Sequence, residues 1–235
     1  MSDMYVKKKI YVSQLAIEVT RRCNMACDHC MRGDAQNIDI DLSHIDKIID
    51  MCDSISNVTF TGGEPTLNLE AIRYTFEKMR HKYGYIPGFY IVTNGKANSR
   101  ELAHLILDVW CDIDEMEQEM SGVAISVDDF HENVDYAHNP LRALACYKPD
   151  KEHDPHDNNH WVANIGRASE TGVGVRPFTP STELYITADC DSVYIDDMLL
   201  AANGNVTSSC DYAYDDESVV VCHIDDFERF CCTHD

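Results

Sequence analysis

Residues 23–30 read Cys23-Asn-Met-Ala-Cys27-Asp-His-Cys30, three cysteines at C-x3-C-x2-C spacing, and they stand directly behind Gln14–Thr20 (QLAIEVT). That stretch alternates apolar and polar residues and is rich in β-formers, which predicts a first strand. Residues 21–36 then form a cysteine-dense loop. Ser43 predicts an N-cap for a helix in which Ile45, Ile48, Ile49 and Cys52 share one face. Asn57 to Thr61 predicts a second strand, ending on Gly62-Gly63-Glu64-Pro65. Leu69 to His81 follows as a helix with Ile72, Phe76 and Met79 at helical spacing. Phe89 to Thr93 makes a third strand ending on Asn94-Gly95, and Arg100 to Trp110 a third helix. Gly122 to Val127 makes a fourth strand ending on Asp128-Asp129. Strands and helices in strict alternation describe an α/β fold of βα units around a parallel sheet. Working groups in such folds sit at the carboxyl ends of the strands. That rule selects residues 21–36, 61–66, 93–96 and 126–131.

Thiolates at the spacing of Cys23, Cys27 and Cys30 suit three of the four irons of a cubane iron–sulfur cluster, leaving the fourth open for a ligand. Two alternatives stay open on spacing alone: a zinc knuckle with His29 as fourth ligand, or three unligated buried thiols. At the end of the second strand, Gly62 and Gly63 let a ligand approach the backbone closely, and Glu64 can accept from an ammonium group. A plain βα turn with a helix-initiating proline also explains that sequence.

Composition narrows the function classes. Lys+Arg is 19 against Asp+Glu 41, a formal charge of -22, so a general nucleic-acid binder is excluded by repulsion from phosphate. The sequence contains no run of ~20 apolar residues, and Lys7, Lys8 and Lys9 precede no apolar h-region; the expectation is a cytoplasmic protein that does not enter a membrane. Eleven cysteines, an odd count without an export signal, point to thiolates kept for metal or redox use rather than to a disulfide framework. Tyr147 to His160 turns polar and reads as a long surface loop. His131, His138, His153, His156 and His160 read as solvated loop histidines, because their spacing is irregular. The short apolar runs Leu184–Thr187, Ser192–Ile195 and Ser218–Cys222 resume the pattern. From Asp189 onward there are twelve acidic residues and one basic one, Arg229.

C-x3-C-x2-C after the first strand with G-G-E-P after the second resembles the radical S-adenosylmethionine (radical SAM) superfamily. The resemblance covers roughly residues 14–178 and implies a partial (β/α)6 barrel, with 179–235 as an acidic, cysteine-containing extension that caps the barrel or contacts substrate. It implies a [4Fe-4S] cluster on Cys23, Cys27 and Cys30, and S-adenosylmethionine held by Gly62, Gly63 and Glu64. One electron into the cluster then splits the cofactor, and a 5′-deoxyadenosyl radical removes hydrogen from a substrate. Ser126 or Asp128 matches the strand-end residue that contacts the ribose, His29 the residue that lines the adenine pocket, and Arg167 a group for the methionine carboxylate. A flavodoxin- or ferredoxin-like electron donor is implied as partner.

Asn164-Ile-Gly166-Arg167-Ala168 and the cysteine-rich extension lean towards a peptide or protein substrate, as in peptide-modifying members. Rival readings are a small-molecule enzyme like the 7-carboxy-7-deazaguanine synthases and an activase that installs a glycyl radical; Met31-Arg-Gly-Asp34 lacks the aromatic, asparagine-rich stretch of the latter. A cluster-bearing binding or sensor module is the non-enzymatic alternative. Cys190, Cys210, Cys222, Cys231 and Cys232 lack the later C-x2-C of an auxiliary-cluster domain, so one cluster is expected.

Overall fold

The computed structural model describes residues 8–128, 130–131, 134–149 and 162–233. The expectations for Lys7, Asp129, Trp161, most of the polar loop and His153, His156 and His160 fall outside them. Strand β1 (Lys9–Thr20) leads through α1 (Leu42–Met51), β2 (Ser54–Gly62), α2 (Leu69–Tyr83), β3 (Gly88–Thr93), α3 (Ser99–Trp110) and α4 (Glu115–Met120) to β4 (Gly122–Ile125). The four foreseen strands and three foreseen helices are all present. Asp41, rather than Ser43, caps α1: its backbone is extended and its side chain accepts from Ser43 N at 2.8 Å. Helix α4 was not foreseen, because EMEQEM has no apolar face and buries nothing.

Beyond β4 come α5 (Arg167–Thr171), β5 (Ile186–Ala188), β6 (Ser192–Leu200), β7 (Asn205–Thr207), β8 (Val220–His223) and α6 (Phe227–Cys232). One sheet takes in every strand, in the order β4-β3-β2-β1-β6-β7-β8, with β5 on β6. The pairs from β4 through to β6 are parallel; β5, β7 and β8 are antiparallel. The sheet is open, which makes the molecule a partial rather than a closed barrel. Strand β6 lies beside β1 from Lys9↔Ser192 to Ile17↔Leu200, so the acidic extension supplies a central strand.

Alternation along the strands divides the two faces. Leu15, Ile17 and Val19 of β1 are fully buried in a core with Ile45, Ile49, Ile72 and Leu105 of the helices. Phe60, Phe76 and Phe89 meet edge to face in that core, at 5.1 and 5.4 Å between ring centres; each such ring contributes roughly 1.5–3 kcal/mol by burial. Gln14 and Ala16 of β1, Thr59 and Thr61 of β2, and Asp197 of β6 instead line a cavity on the concave face. The apolar face thus fixes the sheet and leaves its polar face free for a ligand.

Candidate active site

The cysteine loop is tied at both ends to the carboxyl end of β1. Arg21 N donates to Ile38 O at 2.8 Å and Gln36 N to Arg21 O at 3.0 Å. Thr20 Oγ1 donates to Asp39 Oδ1 at 2.6 Å. Within this frame Cys23, Cys27 and Cys30 are half-buried free thiols lining one cavity of about 210 Å³. Burial raises Cys23 above its ordinary value and pushes Cys27 up to about 11, with the two neighbouring thiols adding to the effect. Crowded thiols of this kind give up their protons to a cationic metal group. The donor set fits a cluster better than one ion. Thiolates around a single zinc at ~2.3 Å must lie within about 4 Å of one another. Among the described residues, three possible ligand atoms within 4.8 Å of one another occur at His29, Asp128 and His131, whereas the three cysteine sulfurs are spread more widely than that.

Strand β2 ends against this loop. Gly63 N donates to Thr20 O at 2.9 Å and Glu64 N to Arg22 O at 2.8 Å. A Cβ on Gly62 or Gly63 would fall within 3.0 Å of the Thr20 or Arg22 carbonyl oxygen, and Gly62 has φ +146. The two glycines are therefore required by the close approach of the cysteine loop, in addition to any ligand contact. Glu64 is 1% exposed, and its carboxylate is fixed from four sides. Oε1 accepts from Thr66 N at 3.1 Å, Thr66 Oγ1 at 2.6 Å and Thr93 Oγ1 at 2.6 Å; Oε2 accepts from Asn94 N at 2.8 Å. Glu64 also lines the same cavity.

Of the other expected residues, His29, Ser126 and Arg167 line this cavity too. Asp128 stands behind it, accepting from His131 Nδ1 at 2.7 Å with His29 Nε2 at 3.8 Å. Burial works to raise Asp128, but the bonds from His131 and Phe130 N override it and hold the carboxyl below its ordinary value. His29 stacks on Phe130 at 4.4 Å, and burial lowers its pKa. The guanidinium of Arg167 is paired with Asp34, while Arg167 N donates to Cys30 O at 2.9 Å. His131 is not a solvated loop histidine, since its side chain is 12% exposed; His138, 85% exposed beside Asp135, is one.

Thr66, Thr93, Asn94, Asn24, Arg32 and Tyr214 were not singled out in sequence. Thr93-Asn94 lay in a strand-end segment already selected, and Asn94 Nδ2 donates to Asn24 Oδ1 at 2.7 Å, clamping β3 to the cysteine loop. Asn24 and Arg32 lay in the selected 21–36 loop without being singled out, and Tyr214 carried no such signal. The cysteines beyond residue 189 are scattered. Cys190 lies before β6, Cys210 lines the concave-face cavity, and Cys231 is buried in the core beside Cys52 and Cys222.

The Radical SAM superfamily model matches residues 17–182, and the chain belongs to that superfamily. Its cofactors are a [4Fe-4S] cluster and S-adenosylmethionine. Uncharacterized protein MJ0907 of Methanocaldococcus jannaschii is 29% identical over 102 residues, 42% of this chain and 36% of that protein. GTP 3',8-cyclase of Clostridium acetobutylicum is 39% identical over 90 residues, 36% of this chain and 28% of that protein. The alignments thus span about a third of these curated relatives. The crystal structure of BtrN in complex with AdoMet and 2-DOIA superposes with a TM-score of 0.58 and 15% identity, covering 95% of this chain and 82% of that one; this likeness is one of fold. Among the described residues no helix is long and apolar enough to cross a membrane.

Proposed function

We propose that this chain is a radical SAM enzyme in which Cys23, Cys27 and Cys30 hold the cluster and the buried Glu64 carboxylate receives the ammonium group of S-adenosylmethionine. The observation that carries this is the convergence of three thiols and one four-fold-anchored carboxylate on a single cavity at neighbouring strand ends. A cluster held by Cys23, Cys27 and Cys30 would supply the electron for reductive cleavage of S-adenosylmethionine. The protein orients. Thr66, Thr93 and Asn94 fix Glu64 before the ligand arrives, so little ordering remains to oppose binding. Ser126 and His29 flank the cavity where the nucleoside end would lie, with Asp128 setting the direction of the His131 ring.

The larger cavity on the concave face, about 540 Å³, shares Cys30, Thr61, Gly62 and Ser126 with the cofactor cavity and adds Gln14, Thr59, Asp197 and Asp211. Its largely apolar lining carries a few polar groups, among them Gln14, Thr59 and Asp197, which suit a substrate with one hydrogen-bonding end. The small-molecule reading is favoured over the peptide or protein one. Gly166-Arg167-Ala168 is occupied in docking α5 onto the cysteine loop, and Cys222, Cys231 and Cys232 gather beside Cys52 rather than in either cavity.

Anaerobically reconstituted protein should hold about four irons per chain and release 5′-deoxyadenosine with dithionite and cofactor. Cys27→Ala should lose most of the iron and all of that product, and replacing Cys23, Cys27 and Cys30 together should bring iron near zero. Normal cleavage by Cys27→Ala would overturn the assignment; full iron in the wild type without any 5′-deoxyadenosine would favour a binding or sensor module.

A further inference from the structure

The cluster cavity has a wall that no cysteine or strand end supplies. Residues 211–216 fold over the cysteine loop, with Tyr214 N donating to Arg32 O at 3.1 Å. Tyr214 lines the cavity, and its hydroxyl oxygen is buried without a hydrogen-bond partner among the described residues. A buried hydroxyl left unpaired costs about 1–3 kcal/mol. Cys30 lines the same cavity as Tyr214.

Arg32 is the second anomaly. It is 8% exposed and lies over the rings of Tyr212 and Tyr214, at 4.6 and 5.9 Å from their centres. Its hydrogen bond runs from Nη1 to the Tyr212 carbonyl at 3.3 Å, and it has no carboxylate partner among the described residues. The other arginines of the site do: Arg21 has Glu18 at 2.6 Å, Arg22 has Asp39 at 2.8 Å, and Arg167 has Asp34. A buried cation without an anion is costly. In a protein of net charge -22 it marks a place where negative charge is to be met.

We infer that the 211–216 segment and Arg32 form the redox-tuning wall of the cluster: Tyr214 Oη–H donates to the Cys30 thiolate or a cluster sulfur, and the Arg32 guanidinium is the cluster's counter-cation. A cubane held by three thiolates is net anionic and gains a further negative charge on reduction, so a hydrogen-bond donor and a nearby cation both favour the reduced form and raise its potential. Tyr212 holds Arg32 in place, and the two rings keep water from the guanidinium. These are positioning and tuning roles, distinct from ligation.

The inference rests on the ligand assignment of Cys23, Cys27 and Cys30. The test is a redox titration of the reconstituted full chain, followed by the electron paramagnetic resonance signal of the reduced cluster, without S-adenosylmethionine. Tyr214→Phe, which removes one oxygen and keeps the stacked ring, should retain its iron and titrate at lower potential than the wild type. Arg32→Gln should shift further in the same direction, while Arg32→Lys should stay nearer the wild type. Full iron with unchanged midpoints in both Tyr214→Phe and Arg32→Gln overturns the inference and leaves the ligand assignment standing; no iron in the wild type removes the assignment itself. If Arg32→Gln does not load iron, the Tyr214→Phe midpoint decides.

Discussion

At the scale of single residues, Glu64 concentrates most of the site's order. Its carboxylate accepts from Thr66, Thr93 and Asn94, so a variant here changes the turn as well as the ligand contact. Glu64→Ala leaves buried donors without an acceptor. Glu64→Gln retains one oxygen but turns its amide towards Asn94 N–H, donor against donor. For Glu64→Gln, cofactor affinity should fall by ~1.5–3 kcal/mol with iron retained, as measured by calorimetry on loaded protein; thermal stability should fall more in Glu64→Ala. Unchanged affinity would mean that the carboxylate serves the turn alone. Glu64 and the cysteines were recognisable as candidates because chemistry and spacing coincide in sequence. Arg32 and Tyr214 were not, since they meet across 182 positions and neither belongs to a local pattern.

At the scale of elements, the βα units up to β4 follow from local periodicity and strand-end polarity, and the structure retains them with shifts of a few residues. The first strand begins at Lys9 rather than Gln14. Exposed Ser13 and Gln14 side by side break the alternation there, and pairing with Ser54–Ile55 and Ser192–Ile195 carries the strand through. Strand β6 was legible as an apolar run, but its place was not, because parallel pairing with β1 is specified by tertiary packing. That pairing makes a prediction about the boundary at residue 178. Val193, Ile195, Met198 and Leu200 are at most 1% exposed, and deleting 179–235 strips them from the core and leaves the β1 edge open. A chain ending at residue 178 should lose its cooperative thermal transition and become rapidly digestible by protease. A truncated chain that melts cooperatively near the full-length temperature would show that the core domain stands alone.

At the scale of the whole molecule, a net charge of -22 sets how redox partners arrive. The cysteine cavity gathers Arg21, Arg32 and Arg167, yet two of these are neutralised by carboxylates, so the far field remains negative. An anionic reductant is slowed by this field and a cationic one is steered in. Screening at ~0.2 M salt, where the Debye length is below about 8 Å, should speed reduction of the loaded cluster by dithionite several-fold and slow reduction by a viologen radical cation. Stopped-flow bleaching of the cluster absorption measures both. Salt-independent rates with both reductants would place the entry point where the field is already cancelled.

The partnership of β1 with β6 also sets a timetable for biosynthesis. At ~5–20 residues per second, the stretch from Thr20 to Ser192 takes roughly ten to thirty seconds to translate. Throughout that interval the cysteine loop has been made while the strand beside it, and the Tyr214 segment over it, have not. The three thiols of the nascent chain therefore stay uncovered until residues 211–216 have been made and can fold over the loop.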